Sequence, residues 1–363
     1  MDKIQHIDKE QFHGTFREMC PDYQYIPAVH SDKKIHKLYV FGDLHGDLKL
    51  FKKMLRLANV VDNQYNWTGG NAWVVQVGDQ IDRCRPLWNK DCSFDITIND
   101  EASDIDIMEL ANKIMNQAIK VGGMVISLLG NHELMNVNGN MNYVSRMGII
   151  DFSRTKEDTD ENYEEGKLKR IEDFRPGNKY GTMLGCTRLP AVIIGTHLFV
   201  HAGIVDALIE EIQLNNISDI ENINIAIRMW LLGKLNKESV QEIITGSKSM
   251  FWTRILGSIP PNVPFSDAKC VNEIGKVLKL FKVDNIIIGH TPQSFLYSES
   301  LNHTCSGHVW RVDNGSSKAF DRYDEEFMST QRVSKSRRVQ ILEIEDDIKY
   351  YIIDDIGRRE IQV

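Results

Sequence analysis

No stretch of this 363-residue sequence approaches the roughly 20 consecutive apolar residues that a membrane-spanning helix requires. Residues 1–10 alternate polar and charged side chains and lack the apolar core of a secretory signal, so the expected location is intracellular and, by default, cytoplasmic. Positive charge is also short: 43 Lys and Arg stand against 51 Asp and Glu, a formal net charge of -8. No global positive field exists to hold a nucleic-acid backbone or an anionic membrane, and neither is an expected partner. The six cysteines, Cys20, Cys84, Cys92, Cys186, Cys270 and Cys305, include no Cys-x-x-Cys pair. That scatter argues against a zinc knuckle and fits reduced thiols better than a disulfide framework. Internal repeats and low-complexity tracts are absent as well.

What is present is 42% hydrophobic and 26% charged residues, the balance of a globular chain with a large core. Short apolar runs at 36–41, 73–77, 124–129, 191–194, 198–200, 285–288 and 308–312 read as strands. Apolar residues at helical spacing predict helices over 47–59, with Asp47 as N-cap, and over 105–119, 223–235 and 267–281. The alternation at 338–343 and 348–354 predicts a hairpin around 345–347. Strands alternating with helices imply an α/β fold, a layered β-sandwich flanked by helices in α-β-β-α order. The expected organisation is an N-terminal extension over 1–35, one domain over 36–354, and a tail over 355–363. Two insertions, near 87–103 and 151–180, interrupt the domain. The second is rich in Asp, Glu, Lys and Arg and reads as a solvated face or mobile loop, or else as a cap over the site.

The chemistry sits where the strands end. Five clusters follow apolar runs: Gly42-Asp43-Leu44-His45-Gly46, Gly78-Asp79-Gln80-Ile81-Asp82-Arg83, Gly130-Asn131-His132-Glu133, Val200-His201-Ala202-Gly203 and Gly289-His290-Thr291-Pro292. In α/β sheets, loops converge at the carboxyl ends of strands to build sites. Carboxylate, imidazole and amide together suit Mn, Fe or Zn rather than Ca or Mg alone. In an extended backbone Asp43 and His45 point to one face, so one ion can hold both. The neighbouring glycines let the backbone approach closely where a Cβ would obstruct. His197 and His308 lack such company and receive no role.

These motifs, in this order, resemble the calcineurin-like metallophosphoesterases. Gly-Asp-x-x-Asp-Arg, Gly-Asn-His-Glu-Leu-Met-Asn, Trp252-Thr253-Arg254, Gly-His-Thr-Pro-Gln and Val312-Asp313-Asn314-Gly315 are similar to the phosphoprotein phosphatases, in particular their Shewanella-like, bacterial-type branch. The resemblance implies two metal ions, with Asp43 and His45 on the first, Asp79 bridging, and Asn131, His201 and His290 completing the second. It also implies His132 as general acid oriented by Asp82, with Arg83 and Arg254 gripping the phosphate oxygens.

The implied activity is hydrolysis of phosphomonoesters by in-line attack of a hydroxide held between the metals. Phosphoserine and phosphothreonine on proteins are the expected substrates, with phosphotyrosine as a further option. The alternatives are a hydrolase of dinucleoside polyphosphates or other small phosphoesters, and a catalytically silent metal-binding scaffold. No segment resembling a regulatory-subunit site is present. Cys84 and Ala202 stand where the family usually has glycine. Between Arg83 and Arg85, the Cys84 thiol is a candidate for oxidation that would restrain activity.

Overall fold

In this computed structural model, residues 8–32, 34–87, 89–297, 300–327 and 337–363 are described. Their strands are β1 (Val29–His30), β2 (Lys37–Phe41), β3 (Trp73–Gln76), β4 (Met124–Leu128), β5 (Arg188–Leu189), β6 (Ala191–Ile194) and β7 (His197–Val200). Then follow β8 (Asn285–Ile288), β9 (Asn302–Thr304), β10 (Val309–Arg311), β11 (Ile341–Glu345), β12 (Lys349–Ile353) and β13 (Arg358–Ile361). One sheet has the order β13-β12-β11-β2-β3-β4-β5 and the other β1-β6-β7-β8-β10-β9.

The alternation of side chains along each strand assigns its faces. In the second sheet Ala191, Ile193, Leu198, Val200, Ile286 and Ile288 join one core, shared with the helices Ser218–Leu231 and Ala268–Phe281. Their neighbours Val192, Ile194, Phe199 and Ile287 join the other core, with Val40 and Val75 of the first sheet. That second core also takes Leu50, Phe51, Met54 and Leu55 from the helix Leu48–Leu57. The result is the expected order of helices, sheet, sheet, helices. Asp47 caps its helix as anticipated, Oδ1 accepting the Leu50 amide at 2.9 Å.

In the first sheet β2, β3, β4 and β5 run parallel, and β7 runs parallel to β8 in the second. The five predicted clusters therefore leave strand ends on a common side. The C-terminal strands extend the first sheet, β11 antiparallel to β2 and β13 to β12. Residues 355–363, read as a tail, thus include β13. Within 1–35, the helix Lys9–Met19 seats Phe12 and Phe16 against Ile225, Met229 and Leu232, and β1 pairs with β6.

Two expectations need correction. The charged segment 151–180 is a solvated face but not a mobile loop: it carries the helix Asp160–Phe174, capped by Thr159, whose side chain accepts the Asn162 amide. Its charges line the outer face, while Tyr163, Gly166, Arg170 and Phe174 are buried. Composition sees the outer face and misses the periodicity of the inner one. The cysteines are paired rather than reduced: Cys20 with Cys186, Cys84 with Cys92, and Cys270 with Cys305. Partners 166, 8 and 35 residues apart form no recognised sequence motif. Cys84 is accordingly half of a bridge and offers no thiol to a mild oxidant.

Candidate metal centre and active-site cavity

The strand-end clusters converge. Asp79 Oδ2 lies 3.9 Å from His45 Nε2, 3.9 Å from His132 Nε2 and 3.3 Å from His201 Nε2. His45 Nε2 is 3.8 Å from Asp43 Oδ2, and His201 Nε2 is 2.9 Å from Asn131 Oδ1. Two groups with ligand atoms all within 4.8 Å of one another share Asp79: His45, Asp79 and His132, and Asp79, His201 and His290. The structure brings all six expected ligands to one place, with Asp79 between the two groups.

The backbone is bent to achieve this. His45, Asp79, Asp82 and His290 adopt φ of 46°, 51°, 73° and 66°, the left-handed region that costs such residues roughly 1–3 kcal/mol each. A Cβ on Gly130 would stand 2.1 Å from Asp79 Oδ1, and one on Gly289 2.2 Å from Asp43 Oδ1. These two glycines permit the close packing around the carboxylates. Glu133, which the sequence reading left without a role, is fully buried. It accepts from the amides of Asp79 at 3.0 Å, Gly130 at 2.6 Å and Gln80 at 2.7 Å, fixing the loop that carries Asp79.

The electrostatics call for cations. Burial, then the charges of Asp313 and Asp79, push the Asp43 carboxyl well above the carboxylate range. Burial pushes Asp313 up to about 6. Oδ1 of Asp43, Oδ2 of Asp313 and Nδ1 of His45 are buried without a hydrogen-bond partner among the described residues. Burial works against an ionised Asp79 too, but His201 and His132 outweigh it and hold that carboxyl well below its usual value. Burial, then Arg85 and His132, depress the His45 imidazole, leaving it neutral as a metal ligand must be. Clustered carboxylates and neutral imidazoles with unused lone pairs fit divalent or trivalent ions of the Mn, Fe or Zn kind.

Beside the ligands, His132 Nδ1 lies 2.8 Å from Asp82 Oδ2. Asp82 Oδ1 accepts from Asn136 Nδ2 at 2.8 Å and is 3.5 Å from Arg170 Nη2. Arg170 arises from the acidic insertion, yet it is fully buried and donates to Asp104 Oδ2 at 2.7 Å, Asn136 Oδ1 at 2.8 Å and the Gly148 carbonyl at 3.0 Å. A network of four polar residues, Asp82, Asn136, Arg170 and Asp104, thus stands behind the His132 ring. Three of its members, Asn136, Arg170 and Asp104, were not foreseen; only Asn136 lay inside a recognised motif.

A cavity of about 430 Å³ opens over this site. His45, Asp79, Asn131, His132 and His290 form its polar floor, with Tyr143, Phe295, Phe320 and Tyr323 among its walls. Arg254 lines it, donating through Nη1 to the His290 carbonyl at 3.1 Å. Arg83 does not reach it: its guanidinium donates to the Gly46 carbonyl at 3.0 Å and the Asn99 carbonyl at 3.0 Å, tying the 87–103 insertion to the Asp-x-His loop. Arg85, two residues on, lines the cavity instead. Sequence gave a signal for this only in the doubled arginine around Cys84.

Such a two-group site at the strand ends of a helix-flanked double sheet defines a metal-dependent phosphoesterase. The sequence matches calcineurin-like phosphoesterase over residues 36–294, and the chain belongs to that family. It is 37% identical over 251 residues to protein R398 of Acanthamoeba polyphaga mimivirus, covering 66% of this chain and 94% of that one. Shewanella-like protein phosphatase 2 of Arabidopsis thaliana is 25% identical over 335 residues, 84% of this chain and 78% of the relative. Among solved structures, the cold-active protein-tyrosine phosphatase of a psychrophilic Shewanella superposes with a TM-score of 0.65 at 20% identity, covering 93% of this chain and 83% of that one. That likeness shows the fold. No helix among the described residues is long and apolar enough to cross a membrane.

Proposed function

We propose that the chain is a protein phosphatase that removes phosphate from modified side chains. Two ions of the Mn, Fe or Zn kind would be held by Asp43, His45, Asp79, Asn131, His201 and His290. When bound, such ions polarise a water for attack on phosphorus and offset charge on the phosphoryl oxygens. Asp79 serves both groups, Asn131 supplies an amide oxygen, and the buried Glu133 keeps the Asp79 loop from shifting. His132 gives its proton to the departing oxygen, and Asp82 holds the ring by Nδ1 so that Nε2 faces the reacting centre. Arg254 supplies a cationic wall against the phosphate.

The observation that carries this reading is the His132–Asp82 pair set beside two ligand groups that share Asp79. An acid of this kind serves an alkoxide leaving group, as on serine or threonine, more than a stabilised one. The aromatic walls support phosphotyrosine as a substrate too, because Tyr143, Phe295, Phe320 and Tyr323 offer faces for a ring. The names of the Arabidopsis and Shewanella relatives, a protein phosphatase and a protein-tyrosine phosphatase, support the same substrate class.

The test is hydrolysis of p-nitrophenyl phosphate, phosphopeptides and diadenosine tetraphosphate by metal-stripped protein with Mn restored. Metal-dependent turnover of phosphopeptides is expected. Turnover of the dinucleotide alone would move the assignment to small phosphoesters, and a trapped covalent phosphoenzyme would overturn direct attack by water.

A further inference from the structure

Arg85 makes no salt bridge to a described residue, although the charges of Asp79 and Asp82 act on it. It is 6% exposed, and among the described residues no carboxylate pairs with it; Nη1 donates to the carbonyls of Asp82 at 3.1 Å and Cys84 at 2.8 Å. Nε and Nη2 have no hydrogen-bond partner among the described residues. The guanidinium carbon lies 4.6 Å from the ring centroid of Phe320 and 5.8 Å from that of Tyr143, so the planar group is stacked inside the cavity rather than reaching for solvent. A guanidinium taken out of water without a partner is costly unless an anion joins it.

Its attachment is stiff. Cys84 bonds covalently to Cys92, and its amide donates to the Tyr143 carbonyl at 3.0 Å. The two carbonyls that accept from Nη1 belong to this pinned stretch. Arg83, to which the family pattern would give the phosphate, directs Nη1 to the Gly46 carbonyl and Nη2 to the Asn99 carbonyl, and lies 3.9 Å from Asp47 and 3.8 Å from Glu101.

We propose that Arg85, held by the Cys84–Cys92 bridge and stacked on Phe320, is the guanidinium that binds the phosphoryl group opposite Arg254. The inference rests on the phosphoesterase reading and deepens it by moving the phosphate grip two residues along the chain. The edge of Arg85 that no described residue engages, Nε and Nη2, presents two parallel N–H groups, the arrangement that suits two oxygens of one phosphate. Cys84, where the family usually has glycine, accompanies this shift: its bridge to Cys92 ties the insertion to the residue before the arginine.

The experiment is calorimetric binding of inorganic phosphate to Mn-loaded protein, with metal content and thermal melting measured on every variant. Arg85→Ala is expected to weaken phosphate binding by roughly ten- to hundredfold at unchanged metal content. Arg85→Lys is expected to recover only part of it, because a point charge replaces the fork. Binding by Arg85→Ala within twofold of wild type overturns the proposal, as does a wild type that binds no phosphate. Should Arg85→Ala fail to fold, Arg85→Gln and Arg85→Lys carry the comparison. Turnover of p-nitrophenyl phosphate by wild type is scored separately and judges the phosphoesterase reading, so the two failures are distinguishable.

Discussion

Nδ1 of His132 and Oδ2 of Asp82 lie 2.8 Å apart, and the other Asp82 oxygen is held by Asn136 at 2.8 Å. The carboxylate has no freedom to turn away, which fixes the imidazole plane and sends Nε2 toward Asp79. A proton donor held this way is useful in proportion to the basicity of the leaving group.

Asp82→Asn and His132→Asn are therefore expected to lower kcat by about 10²–10⁴ on a phosphoserine peptide, and by much less on p-nitrophenyl phosphate. Steady-state kinetics on both substrates checks this. Equal losses on the two would place these residues in metal binding instead of proton transfer.

Arg170 links the insertion helix to the same pair. Its removal in Arg170→Met leaves Asp104 buried without a cation, where burial already raises its carboxyl and Arg170 is what opposes the rise. A loss of about 3–5 kcal/mol is expected from urea unfolding, and Asp104→Asn added to Arg170→Met should restore part of it. Additive losses in the double variant would show that the pair does not act as one unit.

Thiol titration of the unfolded, unreduced protein should detect no free cysteine, since all six are bridged. Replacing Cys20 and Cys186 by serine is expected to cost about 2–5 kcal/mol in the denaturation midpoint, because that bridge anchors the N-terminal helix across a long loop. Six titratable thiols would return the protein to the reduced state.

Asp313 supplies a pH test. Its folded value of about 6 stands above the roughly 3.9 of an unfolded aspartate, so the metal-free fold binds this proton more tightly. The stability it contributes is complete below the unfolded value and is lost as pH rises through about 6, an effect of roughly 2–3 kcal/mol. Metal-free Asp313→Asn should then melt above metal-free wild type at pH 7 and match it near about pH 4. Parallel melting curves at all pH values would contradict the assignment.

The sequence made the site more legible than its supports. Asp43, His45, Asp79, Asn131, His132, His201 and His290 stand at strand ends beside glycines, where short-range pattern and chemistry coincide. The layer order was legible for the same reason, since alternation along 191–200 and 285–288 fixes which side chains meet which core. Arg170 and Asp104 were hidden because a buried ion pair 66 residues apart leaves no local trace. Two of the disulfides span 166 and 35 residues and the third, across 8, forms no recognised motif, while the charged outer face of 160–174 disguised a helix that packs inward. Arg83 and Arg85 show the limit most plainly: two arginines two residues apart, whose separate duties depend on what Asn99 and Phe320 do elsewhere.

The pairing of β2 with β11 has a consequence for synthesis. Lys37 lies opposite Glu345 and Val40 opposite Leu342, so one edge of β2 waits for a partner translated about 300 residues later. At typical elongation of about 5–20 residues per second, that edge stays open for roughly 15–60 s on the ribosome. An unpaired apolar edge is a template for neighbouring chains, so nascent protein is most exposed to misassociation before the last strands emerge. Slower growth or chaperone supply should govern the soluble yield, and truncation before residue 341 should leave β2 without this cover.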